Sequence, residues 1–148
     1  MNRDRAISQE GIDLIKTFEG LRLQAYTDSV GIWTIGYGST RGVREGDHIT
    51  AEEAEQRLRE DLAAAETCVR STLNMIRLTQ HQFDALVSFV YNLGCRAFRN
   101  STMARKLEMG DFDAAANQFQ FWTRAGNDHP RGLIRRREAE ATWFRMPD

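Results

Sequence analysis

Proline is almost missing from this 148-residue chain: there are two, Pro130 and Pro147, both late. No proline-rich linker therefore divides it. Cysteine is equally sparse, and Cys68 and Cys95 have neither metal-ligand nor redox-motif spacing. Synthesis in a reducing cytosol makes two free, largely buried thiols the expected state. A disulfide becomes possible if the protein ends up in an oxidising compartment. The three histidines, His48, His81 and His129, are scattered and show no ligand spacing. His81 reads as a surface residue of a helix cap. No charge of one sign dominates either: the net charge is −1 and the pI about 6.3, which removes any global electrostatic case for nucleic acid or membrane. No apolar run approaches the length that spans a bilayer. The first ten residues, MNRDRAISQE, hold no apolar core of a signal peptide, so the expectation is a chain made and held in the cytoplasm.

What is present is an ordinary globular composition, 41% hydrophobic and 28% charged, over about one domain's length. The near-zero charge hides a polarity. Arg41 to Glu66 holds four basic and eight acidic residues, whereas Arg96 to Asp148 holds ten basic and seven acidic. Each patch alone reads as a solvated surface.

Ser8 can cap a first helix whose Ile12, Ile15 and Phe18 recur at helical spacing, with Gly20 as its terminating glycine. From 21 to 49 the period changes. Leu21, Leu23 and Ala25 alternate with polar or aromatic residues, Asp28-Ser29-Val30-Gly31 reads as a turn, and Ile32-Trp33-Thr34-Ile35 is β-prone. A turn around Glu45-Gly46-Asp47 follows. The pattern predicts a two- or three-stranded antiparallel sheet too small to stand alone. Beyond it everything is helical. Thr50 and Glu53 form a capping box for a long polar helix towards Leu73, with Leu58, Leu62, Ala65 and Val69 on one face. Thr79 and Gln82 form another, ahead of an apolar helix carrying Phe83, Leu86, Val87, Val90 and Tyr91. Ser101, Asp111 and a cap near Pro130 start three more. The class is α+β.

Within the β region, Glu19, Asp28 and Thr34 stand at E-x8-D-x5-T spacing. Singly, each has a plainer reading: a solvated helix end, a turn-forming aspartate, a β-forming threonine. Together they differ, because a short hairpin folding back beside the helix exit gathers two carboxylates and a hydroxyl around one concavity. Glycoside hydrolysis needs that inventory: one carboxylic acid to protonate the leaving oxygen, and a second carboxylate to activate water or support the developing cation. Glu19, beside Phe18 at a packed helix end, is the candidate acid. Asp28 is the candidate second carboxylate, and the Thr34 hydroxyl can hold the water.

These residues carry a resemblance. Phe-Glu-Gly, Ala-Tyr-x-Asp and Gly-x-x-Thr-Ile-Gly-Tyr-Gly, then Gln82–Gly94, then Gly132–Glu140 with Phe144, are similar to motifs of the phage lysozymes, the endolysins of glycoside hydrolase family 24. The likeness runs from about Ser8 to Phe144. It implies hydrolysis of the β-1,4 bond between N-acetylmuramic acid and N-acetylglucosamine in bacterial peptidoglycan, with Glu19 as proton donor. Asp28 and Thr34 would position and activate water, with inversion. It implies a lysozyme-like single domain over 1–148. A small antiparallel lobe at about 8–50 and a helical lobe at about 74–148 would be joined by a long helix at about 50–73, with the active-site cleft between the lobes. No metal or cofactor is implied. Tyr37, Gly38 and Ser39 would line the substrate site, Tyr37 stacking on a sugar face, whereas Trp33 and Trp122 read first as core residues. Many relatives carry His where this chain has Ser39, which cannot supply that charge to Glu19. A C-terminal arginine, Arg135 or Arg136, is the candidate partner of Glu19, while Arg137 reads as part of a solvated helix face. The resemblance further implies a monomer that stays in the host cytoplasm until a separate membrane pore protein, a holin, releases it to the wall, with no nucleic-acid partner and no membrane insertion. A lytic transglycosylase, releasing 1,6-anhydro products, and an inactive wall-binding module are the competing readings.

Overall fold

A computed structural model describes residues 4–148. Seven α-helices and a two-stranded antiparallel sheet make up the regular structure of those residues, so the α+β reading holds. They cluster into two compact units: Ile12–Ala64, and Ala65–Asp148 together with the segment ending at Gly11. Each of the two boundaries falls inside a helix, one within Gln9–Glu19 and one within Ala51–Thr72.

In the Ile12–Ala64 unit, α1 (Gln9–Glu19) buries Ile12 and Ile15 completely. Ser8 caps it, its hydroxyl accepting from Gly11 N at 3.0 Å. Gly20, at φ +70°, ends it, its amide reaching back to Lys16 O. Strands β1 (Arg22–Thr27) and β2 (Trp33–Gly36) pair Thr27 with Trp33, Tyr26 with Thr34 and Arg22 with Gly36, an irregularity falling between Arg22 and Tyr26. The outer edge of β1 is partly paired: Ala25 N donates to Asp47 O and Ile49 N to Leu23 O. The alternation in β1 misled in one respect. Leu21 and Leu23 are about two-fifths exposed rather than buried.

The helix α2 (Ala51–Thr72) starts at the Thr50–Glu53 capping box, both reciprocal bonds being 3.1 Å. Its expected face, Leu58, Leu62, Ala65 and Val69, is buried, and Ala54 with it. In the other unit, α3 (Gln80–Leu93) opens on the Thr79–Gln82 capping box, is buried from Phe83 to Val90, and is the centre of the core. Phe89 meets Phe98, Phe119 and Trp122 edge-to-face at 5.2–6.3 Å. Then come α4 (Cys95–Arg99), which the sequence reading did not anticipate, α5 (Thr102–Glu108) capped by Ser101, α6 (Phe112–Gln118) capped by Asp111, and α7 (Arg131–Arg145) after Pro130.

Three expectations are corrected in this unit. Cys68 and Cys95 are not free thiols: they form a disulfide, with Cα atoms 5.9 Å apart, joining the last turns of α2 to the start of α4. Arg137 is not solvated. It is 1% exposed, and burial pulls its guanidinium below the ordinary arginine value against the opposing pull of Glu140. His81 is not simply a surface residue, since its ring packs edge-on against Trp143 at 5.1 Å and approaches the Asp148 carboxylate to 2.9 Å.

Candidate active site

Glu19 is the last residue of α1 and is half-buried. The positive φ of Gly20 turns the chain sharply, so the carboxylate stays at the helix exit while the backbone departs into β1. A second glycine meets it from the other side. After β2, Ile35 and Ser39 exchange backbone hydrogen bonds, each 2.9 Å, and close the three-residue loop Gly36-Tyr37-Gly38. Gly38 has φ +89°, and a Cβ placed on it would stand 3.3 Å from Glu19 Oε1. Only a residue without a side chain lets this loop lie so near the carboxylate. Of the sequence-predicted residues, Glu19 and Gly38 are thus brought into direct proximity.

Asp28 and Thr34 are brought together through one peptide. The Asp28 carboxylate folds over its own turn, and Oδ1 accepts from Val30 N at 3.0 Å and Ile32 N at 2.9 Å. The carbonyl of Ile32 accepts from Asp28 N at 2.9 Å and from the Thr34 hydroxyl at 3.0 Å. Thr34 is 5% exposed. Its hydroxyl proton is committed to Ile32, which leaves its oxygen lone pairs as acceptors. Both backbone bonds to the Asp28 carboxylate fall on Oδ1.

Tyr37 is half-buried, with the Lys16 ammonium 5.5 Å from its ring centroid. Lys16 pairs with Glu55, which also takes Arg59 at 3.2 Å. The bond to Glu55 raises the Lys16 ammonium above its ordinary value, and the bond to Lys16 draws the Glu55 carboxyl below the usual range. These side chains line a pocket of about 320 Å³ with Gln56 and Glu52. Ser39 is buried at 2% exposure, and its hydroxyl accepts from Arg57 Nη1 at 3.1 Å. Arg57 escaped the sequence reading. The available signal was a buried serine that needs a donor, which no local pattern announces.

Arg135 is exposed. Arg136, by contrast, is 4% exposed in the other unit, where its guanidinium donates to Glu140 Oε2 at 3.1 Å and to Ser88 O at 3.0 Å. Arg137 donates to Trp122 O at 2.7 Å and also bonds Glu140 and Asn92. Ser88 completes the group, its hydroxyl donating to Glu140 at 2.6 Å. The triple-arginine stretch is therefore largely an internal polar network between α3 and α7. Among the described residues no cluster of histidine, cysteine and carboxylate could hold a metal ion.

The muramidase domain of SpmX from Asticaccaulis excentricus has the same fold: TM-score 0.90, 43% identity, 96% of this chain and 99% of that one. This places the chain among the lysozyme-like α+β proteins. The family model described as phage lysozyme matches residues 16–140. The endolysin of Acyrthosiphon pisum secondary endosymbiont phage 1 is 46% identical over 142 residues, covering 93% of this chain and 97% of that protein. The longer endolysin of Bacillus phage B103 is 45% identical over 141 residues, which cover 53% of it. The chain belongs to the phage lysozyme family, and is thereby a glycosidase-type enzyme.

Proposed function

We propose that the protein is an N-acetylmuramidase. It hydrolyses the β-1,4 bond between N-acetylmuramic acid and N-acetylglucosamine in peptidoglycan, with inversion, as one lysozyme domain over 1–148. The observation that carries this reading is the Ile32 carbonyl, which accepts from both Asp28 N and the Thr34 hydroxyl. A water molecule can give one proton to Thr34 Oγ1 and the other to Asp28 Oδ2. Its lone pair is then the only part left to approach an anomeric carbon. Glu19 gives its proton to the glycosidic oxygen as that bond breaks. Asp28 takes the proton that the water sheds, and the new C–O bond forms on the opposite face. A transglycosylase has no use for a water-holding pair, so the intact Asp28–Ile32–Thr34 arrangement favours hydrolysis.

Tyr37, Gly38 and Ser39 form the substrate side of Glu19 in this reading, and neither metal nor cofactor takes part. The protein acts as a monomer, because a long polymer has to reach an open site. Among the described residues no helix is long and apolar enough to cross a membrane. In this proposal a separate membrane pore protein, a holin, gives it passage to the wall.

The test is a digest of purified peptidoglycan read by mass spectrometry, beside Glu19→Gln. Reducing N-acetylmuramic acid ends are expected from the wild type, and a loss on the order of 10²–10⁴-fold from the variant. Anhydro ends would move the assignment to a transglycosylase. Binding without fragments would leave an inactive wall-binding module.

A further inference from the structure

The loop that presses on Glu19 is held in place from α2. Gly36 lies flat on that helix: a Cβ there would meet Ala54 Cβ and Ile49 Cδ1, each at 3.4 Å. Three residues further along α2, on the same helical face, stands Arg57. Its Nη1 donates both to Ser39 Oγ, at 3.1 Å, and to Arg41 O, at 3.0 Å. Ser39 is bonded through its backbone to Ile35 and is covalently next to Gly38, which faces Glu19 Oε1. The loop is thus fixed at three points: the Ile35–Ser39 backbone pair at its neck, the small side chain of Ala54 beneath it, and one guanidinium nitrogen at its exit. A buried serine hydroxyl and a backbone carbonyl depend on that one nitrogen, so its removal releases both.

We propose that Arg57 is a positioning residue for the catalytic carboxylate: by anchoring Ser39 and the Arg41 carbonyl to α2, it holds Gly38 against Glu19 and so sets the direction in which Glu19 presents its proton. Arg57 touches neither substrate nor reacting atoms in this role. The inference rests on Glu19 being the general acid.

The test is steady-state kinetics on purified peptidoglycan for Arg57→Met, Arg57→Lys and Glu19→Gln, each assayed well below its own unfolding transition. Arg57→Met keeps the length of the stem and removes the donors. Its kcat should fall on the order of 10- to 100-fold, the scale of a misplaced catalytic group, with apparent KM within about threefold of wild type. Arg57→Lys retains a charged donor and should recover most of kcat. Wild-type kcat in Arg57→Met, a loss confined to KM, or a Lys variant as impaired as the Met variant would each overturn the proposal. Should Arg57→Met not fold, the kcat of Arg57→Lys together with an Ser39→Ala variant, which removes only the acceptor, decides the matter: unchanged kcat in Ser39→Ala with lost kcat in Arg57→Lys overturns it. Failure of the underlying assignment looks different, for Glu19→Gln would then stay active whatever the Arg57 variants do.

Discussion

Breaking the Cys68–Cys95 bond should lower stability substantially while leaving the Glu19 site untouched. The bridge spans a sequence separation of 27, and both ends lie in the helical unit. On the chain-entropy account, closing a loop of that length removes about 12 cal/mol/K from the unfolded ensemble, or about 3.5 kcal/mol at 25 °C. A chain of 148 residues unfolds with an entropy of about 310 cal/mol/K near its midpoint, so the bond is worth about 11 °C in Tm. The assay is calorimetry of the same protein with its disulfide intact and after reduction, reduction being verified by thiol alkylation and mass. Comparing the two states of one sequence avoids the cavity that substitution of Cys68, 3% exposed, would add. The double variant Cys68→Ala/Cys95→Ala should melt at or below the reduced protein. Tm values within about 2 °C for oxidised and reduced protein would refute the reasoning, since the native fold would then gain nothing from the closed loop. A fall of about 11 °C would mean that the protein is markedly less stable in a reducing cytosol than in an oxidising compartment.

Gly38→Ala forces a side chain onto φ +89° and pushes its Cβ to 3.3 Å from Glu19 Oε1; we expect about 1–3 kcal/mol lower stability and a kcat reduced on the order of tenfold or more, checked by denaturant melts and wall-digestion rates. Glu55→Gln tests the ion pair with Lys16. Because that pair holds the Glu55 carboxyl below its ordinary value near 4.5, its stabilisation is present above that pH and disappears as pH falls through the lowered folded value. The variant should therefore be less stable than wild type by about 0.5–1 kcal/mol at pH 6, with the difference shrinking as acidification protonates the Glu55 carboxyl, as read from melts across an acid-to-neutral series.

The legible parts of the sequence were the local ones. Capping boxes at Thr50 and Thr79, caps at Ser8, Ser101 and Asp111, and the terminating Gly20 all act within four residues, and the structure has each of them. The turn at Asp28 and the place of Thr34 on the β-prone segment after it were equally visible, since a hairpin is a short-range object; the structure adds the register, Thr34 opposite Tyr26. What was hidden depends on distant partners. Nothing near Cys68 or Cys95 reveals that α4 delivers one sulfur to the other. Arg137 reads as a surface charge until Asn92, Glu140 and the Trp122 carbonyl surround it. Asp84, 1% exposed, accepts from Ser8 N, the Ser8 hydroxyl and Gln80, tying the residues before α1 to α3 across 76 positions of sequence. Leu21 and Leu23, which alternate with polar residues in the sequence, are about two-fifths exposed in the structure.

The knot of Ser88, Arg136, Arg137 and Glu140 has a consequence for how this sequence can change over generations. Glu140 is fully buried and answers two guanidinium groups at once. Losing it alone strands two buried cations, and losing either arginine alone leaves a carboxylate short of a donor; each single step costs about 3–5 kcal/mol, a large part of a typical domain's stability. Replacing the whole set by well-packed apolar side chains can be neutral or better. The low-energy alternatives therefore exist but lie several simultaneous substitutions away. Epistasis would keep α3 and α7 exchanging these four residues as one heritable unit, even though none of them has to touch a sugar.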